Sequence, residues 1–291
     1  MNRLIGKTKD YFSFVKFSHT VFAMPFALVG YFIGTRQPGY GFSLKTFLLM
    51  LACMVFARSA AMGFNRYADH RFDSMNPRTA AREIPSGKIS LRQALVFVIT
   101  SSLLFIASTA FLNRLTLILS PLALLIILGY SYTKRFTPLC HLILGLGLSL
   151  APIGAYIAVT GKFALLPLVY SAVVLTWVGG FDIIYAMQDD VFDTEKGLYS
   201  IPAVTSRRRA LLISIMLHIL SAAGVVAAGL IGNGRILYWT GASVFLGLLV
   251  YQHLIVKPHD LSRVNVAFGT TNGVAGLIFG LMVILDMLLL H

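Results

Sequence analysis

The sequence predicts an all-α, polytopic membrane bundle of about nine transmembrane helices around a central cavity, and three observations carry that prediction. Of the 291 residues, 57% are hydrophobic and only 12% charged, too little polar surface for a water-soluble domain of this size. Nine apolar runs, at roughly 14–35, 44–66, 91–112, 115–133, 138–160, 163–185, 209–231, 235–256 and 267–290, each approach the length that spans a bilayer core. The basic residues also alternate between sides. The N-terminus (Arg3, Lys7, Lys9, Lys16) and the second, fourth, sixth and eighth loops hold 18 of the 24 Lys and Arg, whereas the odd loops hold only Arg36, Lys45, Arg114, Lys162 and Arg235. The positive-inside rule then puts the N-terminus and the even loops in the cytoplasm and the C-terminus outside, as in a multi-pass protein of the cell inner (cytoplasmic) membrane. The net charge of +13 belongs to this topology, so a nucleic-acid partner is not indicated. The whole chain, 1–291, reads as one membrane domain.

In chain order, the first run follows MNRLIGKTKDYFSFVK, which resembles a signal peptide in charge. No small-x-small cleavage site stands out, so it reads as a retained first helix. The second run ends abruptly in charge at Gly63. The third to fifth are separated only by Asn113-Arg114 and Lys134-Arg135. The sixth ends in a second acidic stretch, and the seventh begins after Arg207-Arg208-Arg209, a topology determinant and lipid-headgroup contact. Pro25, Pro121, Pro152 and Pro167 sit in or beside helices, where a membrane bundle can accommodate them. Cys53 and Cys140 lie singly in apolar runs and form neither a disulfide framework nor a metal spacing. Asp286 and His291, near the outer end, take no role.

Eight of the 11 acidic residues fall in or beside two even loops. The first stretch is GFNRYADHRFDSMNPRTAAREIPSG, Gly63 to Gly87. Asn65, Asp69 and Asp73 are four apart and so share one helix face, each about 6 Å along the axis from the last. The second stretch is GGFDIIYAMQDDVFDTEKGLYSIP, Gly179 to Pro202, where Asp189 and Asp193 repeat the spacing. Tyr185 precedes Asp189 by four, as Asn65 precedes Asp69. Asp182 and Arg58 stand seven before Asp189 and Asn65 respectively. The two stretches end the second and sixth runs, which fits a weak four-helix internal repeat with a ninth helix added.

Two carboxylate ladders at one membrane face need cations to sit together. Mg²⁺ suits oxygen ligands and leaves sites for substrate phosphates. Asn65, Asp69, Asp73, Asp189 and Asp193 are therefore candidate metal ligands. Arg66, Arg71, Arg78, Arg82 and Lys196 are candidate partners for the remaining oxygens of a diphosphate. Such a head group at the mouth of an apolar bundle points to a lipid diphosphate with its tail in the membrane region. Neutralising the leaving group lets an allylic carbon–oxygen bond ionise, and aromatic faces can stabilise the cation.

These motifs resemble those of the UbiA family of intramembrane aromatic prenyltransferases. The NxxxDxxxD element matches Asn65, Asp69 and Asp73. The following RTxxR-P-x-G segment matches Arg78-Thr79, Arg82, Pro85 and Gly87, with Glu83-Ile84 ahead of Pro85. The DxxYAMxDxxxD element matches Asp182, Tyr185-Ala186-Met187, Asp189 and Asp193. The resemblance spans both halves and implies a nine-helix bundle, two Mg²⁺ sites, a polyprenyl diphosphate donor and an active site facing the cytoplasm. It makes Asp69, Asp73, Asp189, Asp193, Asp182 and Tyr185 the catalytic candidates. Lys16–Phe26, Arg58–Asn65 and the IIYAMQDDVFD run are similar to the 4-hydroxybenzoate polyprenyltransferase-like branch. That branch includes the enzymes of the futalosine menaquinone route, so the implied acceptor is a hydroxylated aromatic acid, 4-hydroxybenzoate or 1,4-dihydroxy-6-naphthoate, in ubiquinone or menaquinone synthesis. The 1,4-dihydroxy-2-naphthoate and haem enzymes of the family are less similar outside the Asp motifs.

Other residues admit two readings. Arg58, a charge within a helix, either faces a cavity and meets the diphosphate or the acceptor, or forms a structural pair, with Asp182 as one partner. Asp182 either supports the site or receives the aromatic proton. Lys16, His19, Lys134 and Arg135 could hold the acceptor; a snorkelling lysine, an interfacial histidine and simple topology charges are the alternatives. His70 has no second histidine spaced for zinc. From another class, a cation-coupled transporter would place its ionisable residues near the bilayer midplane, not at one face, and no His-based constellation supports a lipid-phosphate hydrolase.

Overall fold

A computed structural model describes residues 13–15 and 22–290. The described residues are helical, with no strands beyond a single bridge between Lys257 and Asp260. The long helices are α1 (Met24–Thr35), α2 (Leu44–Ala68), α4 (Leu91–Ala110), α5 (Arg114–Thr133), α6 (Cys140–Thr160), α7 (Leu165–Ala186), α10 (Arg207–Ile231), α11 (Ile236–Ile255) and α12 (Asn272–Leu289). Three short ones lie in the loops: α3 (His70–Met75), α8 (Asp190–Glu195) and α9 (Ile201–Val204). A π-helical turn, Val266–Thr271, leads into α12. Among the described residues, seven helices are long and apolar enough to cross a membrane, counting the π turn with α12. The other two expected spans are the 12-residue α1, with residues 16–21 of its expected span outside the described residues, and the 20-residue α11, which carries Gln252 and His253 near its end.

The bundle is apolar on the outside. Leu95, Val96, Ile99 and Leu103 line the outward stripe of α4, and Leu212, Met216, Ile219 and Leu220 that of α10, all exposed. Continuous exposed apolar faces of this extent belong against lipid, and the protein is an integral membrane protein. Inside, Phe26 of α1 packs with Trp177, Phe181, Phe245 and Phe279 of the later helices as an aromatic core. Close helix approach there depends on missing side chains. A Cβ on Gly30 of α1 would stand 2.0 Å from the Pro152 carbonyl oxygen of α6, and one on Gly145 of α6 would stand 2.4 Å from the Leu175 oxygen of α7.

The loops sort to two ends. At one, Tyr40 Oη donates to the Thr160 carbonyl (2.9 Å) and Asn113 Nδ2 to that of Ile157 (2.7 Å). At the other, the Tyr199 N–H donates to the Lys134 carbonyl (2.6 Å), and both acidic stretches meet. Asp286, without a role on sequence grounds, accepts from the N–H groups of Arg235 (2.8 Å) and Tyr238 (3.1 Å) and so satisfies the start of α11. His291 lies outside the described residues.

The two halves share a local plan. In each, a long helix stops beside a motif aspartate, Asp69 or Asp189, and a six-residue helix restarts directly after it. The second and third long helices of the first half, α2 and α4, pack together, as do their counterparts α7 and α10.

Candidate active site

The first ladder survives its helix break because the backbone ladder continues. The Asp69 N–H bonds the Asn65 carbonyl (2.9 Å) and the Asp73 N–H that of Asp69 (2.8 Å). The second does not keep α-helical spacing throughout. Met187, Gln188 and Asp189 bond back three residues, to Ile184, Tyr185 and Ala186, a tighter winding that moves Asp189 off the stripe expected for it.

The two stretches converge through Arg78 and Asn76. Arg78 donates from Nε to Asp189 Oδ1 (2.9 Å), from Nη2 to Asp189 Oδ2, and from Nη1 to the Tyr185 hydroxyl (2.9 Å). Asn76 Nδ2 also donates to Asp189 Oδ1 (3.0 Å). This joins residues more than a hundred positions apart. The other aspartates have cations of their own: Asp73 with Arg82 (2.6 Å), Asp193 with Lys134 (2.7 Å) and Asp69 with Arg135 (3.4 Å). Asn65 Nδ2 donates to Asp69 Oδ2 (3.0 Å), and Ser200, fully buried, donates to Asp193 Oδ2 (2.8 Å).

Several sequence expectations change. Lys134 and Arg135, weighed as acceptor contacts or topology charges, each pair with an aspartate, and Arg135 also donates to the Ala68 carbonyl (2.6 Å). The Tyr185 ring lies against Phe268 (4.1 Å between centroids) and Arg78 (5.3 Å), so protein groups cover it. Arg58 forms no ion pair with Asp182 among the described residues. Asp182 instead accepts from His141 (2.7 Å), which the sequence reading passed over. Arg207 is not simply a lipid-facing charge, because it binds Asp190 through Nε (2.6 Å) and Nη2 (2.8 Å). Arg71 and Lys196 are exposed at the same end, whereas Arg66 is buried, its Nε without a hydrogen-bond partner among the described residues. Lys16 and His19 lie outside the described residues.

An apolar cavity of about 380 Å³ opens within the bundle. It is walled by α2, α4, α5 and α6, because the aromatic core fills the opposite side. Its lining is apolar (Cys53, Met54, Ala57, Phe105, Ile127, Leu148 among others), with Arg58 and Tyr130 at the end nearer the acidic loops. Tyr130 lines the cavity and is within electrostatic reach of Asp69, Asp182, Arg58 and Arg66.

The donor set fits a hard divalent cation: the facing groups are carboxylate and amide oxygens. Asp73 Oδ2 is buried with no hydrogen-bond partner among the described residues. Among those residues no three His, Cys, Asp or Glu converge as a ready cage. Like charges hold the carboxylates apart, and arginine and lysine stand where counter-ions are needed.

A sequence model of the UbiA prenyltransferase family matches residues 23–281. The chain belongs to that family. A 4-hydroxybenzoate octaprenyltransferase of Nitrosospira multiformis is 34% identical over 236 residues, 81% of each chain. The apo structure of a UbiA homologue from Aeropyrum pernix K1 is 36% identical, with a TM-score of 0.84 over 93% of this chain and 98% of that one. A UbiA homologue from Archaeoglobus fulgidus, solved bound to GPP and Mg²⁺, shares the fold at 20% identity, with a TM-score of 0.72 over 94% of this chain and 99% of that one. This chain is thus a polyprenyltransferase of the UbiA family. The functional candidates that sequence reasoning missed, Asn76, Tyr130, His141 and Ser200, carry no spacing signal. Each matters through a partner distant in the chain.

Proposed function

We propose that this UbiA-family enzyme transfers a polyprenyl group from polyprenyl diphosphate to a hydroxylated aromatic acid of the 4-hydroxybenzoate class, at the cytoplasmic face of the cell membrane. The observation that carries the proposal is the junction of both acidic stretches at Arg78–Asp189, beside an apolar cavity whose polar end holds Arg58 and Tyr130. The relatives' name, 4-hydroxybenzoate octaprenyltransferase, supports the acceptor class. The excess of Lys and Arg in the even loops supports the orientation.

Mg²⁺ held by Asp69, Asp73, Asp189 and Asp193, with Asn65 beside them, would supply the positive charge that lets diphosphate leave. Asp189, Asp73, Asp193 and Asp69 are paired with Arg78, Arg82, Lys134 and Arg135 here, and a carboxylate that held a cation would release its basic partner. Arg78, Arg82, Lys134 and Arg135 then become the donors nearest the diphosphate oxygens, with Arg66 behind them and Arg71 and Lys196 at the exposed rim. Arg78 has the geometry for this switch, since its planar fork fits a phosphate as well as a carboxylate. The polyprenyl tail follows α2 away from the loops into the cavity. Arg58 faces the acceptor's carboxylate and Tyr130 its hydroxyl, between tail and aspartates. The ring attacks the allylic carbon beside a carbon activated by the hydroxyl, and the apolar lining keeps water from the cation.

The test combines membranes or purified protein with one polyprenyl diphosphate, Mg²⁺ and, in separate arms, 4-hydroxybenzoate, 1,4-dihydroxy-6-naphthoate or 1,4-dihydroxy-2-naphthoate, read by mass spectrometry of the products. A prenylated aromatic acid is expected. Asp69→Ala and Asp189→Ala are expected to abolish the product while the protein still inserts, and normal turnover in either variant rejects the assignment.

A further inference from the structure

We propose that His141 is a positioning residue for prenyl transfer, acting through Asp182. This rests on the function proposed above and adds the group that orients the proton acceptor. His141 is 2% exposed, in the first turn of α6. Its two ring nitrogens have different partners. The Ile201 backbone N–H, which can only donate, points to Nε2 (3.3 Å), so Nε2 accepts. The ring proton therefore sits on Nδ1 and is donated to Asp182 Oδ2 (2.7 Å). The tautomer is fixed by the fold, as for other histidines whose second nitrogen is engaged.

Asp182 consequently has one oxygen held and one left. Among the described residues Oδ1 has no hydrogen-bond partner, and the side chain is 21% exposed although α7 is a packed helix. Tyr130, which lines the cavity, lies within electrostatic reach of both Asp182 and Asp69. The same loop that fixes His141 also fixes the second ladder: Ile201 follows Ser200, which binds Asp193. Asp182 and the ladder are thus tied to one segment.

The step balances as follows. The ring carbon beside the hydroxyl-bearing carbon bonds to the allylic carbon, whose bond to the diphosphate oxygen breaks with its electron pair leaving on diphosphate. The proton on the attacked ring carbon passes to Asp182 Oδ1, and the C–H electron pair restores aromaticity. With Oδ2 anchored by His141, Oδ1 faces the ring without a search over carboxylate rotamers.

Four variants test this: His141→Asn, whose amide can stand where Nδ1 was; His141→Gln, whose amide reaches the Nε2 position; Asp182→Asn; and His141→Gln with Asp182→Asn. Kinetics are measured with a polyprenyl diphosphate and the acceptor that the wild type uses. His141→Gln is expected to lower kcat about tenfold or more, the scale of a lost orienting hydrogen bond, with both KM values within about twofold. His141→Asn is expected to recover most of that loss. His141→Gln is expected to add nothing in the Asp182→Asn background. Wild-type kcat in His141→Gln, the same loss in both backgrounds, or a loss confined to donor KM would each overturn the inference. If the wild type prenylates no aromatic acid, the functional proposal fails and takes this one with it. Turnover by the wild type with an undiminished His141→Gln variant overturns this inference alone.

Discussion

The motif aspartates have unequal surroundings. Burial pushes Asp189 up, but the hydrogen bonds and charge of Arg78, helped by Asn76, outweigh it and hold the carboxyl below its ordinary range. Burial raises Asp193 despite Lys134 and Ser200. At Asp69, burial and then the charge of Asp73 raise the carboxyl from 3.8 to about 6, against the opposing Arg135. The folded state therefore binds this proton more tightly than the unfolded chain does. The stabilisation from that proton is complete below pH 3.8 and is lost as pH rises through about 6. Metal-free wild type is expected to lose thermal stability relative to Asp69→Asn across that window. Mg²⁺ is expected to reverse the loss by compensating the carboxylate. Melting curves of both proteins at pH 4.5 and 7, with Mg²⁺ or EDTA, check this, and a difference that ignores both pH and metal contradicts it.

At the scale of elements, what the sequence made legible is what repeats or alternates. The apolar runs ending near 66 and 185 come within two residues of the observed helix ends at Ala68 and Ala186, and the alternation of Lys and Arg separates the loops into two sets. What it hid depends on pairs. Nothing local to Arg78 announces Asp189, 111 residues on. His141 is one histidine in an apolar run, with no spacing to mark it. Apolar composition alone cannot tell a helix that lines a cavity from one that fills it. Gly30 and Gly154 look alike in sequence, for both sit in apolar helices. In the fold they are opposites. A Cβ at Gly30 meets the Pro152 backbone at 2.0 Å, and one at Gly154 meets nothing within 4 Å. Gly30→Ala is expected to cost about 1–3 kcal/mol as α1 and α6 are forced apart. Gly154→Ala is expected to be neutral or to gain up to about 1 kcal/mol from helix propensity. Thermal unfolding in detergent separates them, and equal melting temperatures would contradict the packing argument.

For the whole molecule, what matters is which helices leave space between them and which fill it. Phe26, Trp177, Phe181, Phe245 and Phe279 fill one side of the bundle, and the open volume lies between α2, α4, α5 and α6. The acidic loops close one end of that volume, with Arg58 and Tyr130 just inside. From there the lining runs down α2 to Met50 and reaches Leu112, Thr116 and Phe163 near the other face. Under the proposed function, head group, ring and tail would follow one another along the membrane normal, which makes tail length separable from chemistry. Gly154 lies in the wall 14 residues into α6, about 20 Å from the loop end, well beyond any reacting atom. A Cβ at Gly154 meets nothing within 4 Å, so Gly154→Phe directs a ring into the open volume. It is expected to lower kcat/KM for a long polyprenyl diphosphate about tenfold or more, as pocket volume rather than polar contact is lost. A dimethylallyl or geranyl donor, too short to reach the new ring, should keep its kcat/KM within about twofold. Competition between a long and a short donor, read as the ratio of products by mass spectrometry, measures both at once. An unchanged ratio would show that the tail does not occupy this cavity, whereas a ratio shifted toward the short product with unchanged total Mg²⁺ dependence locates the tail beside α6.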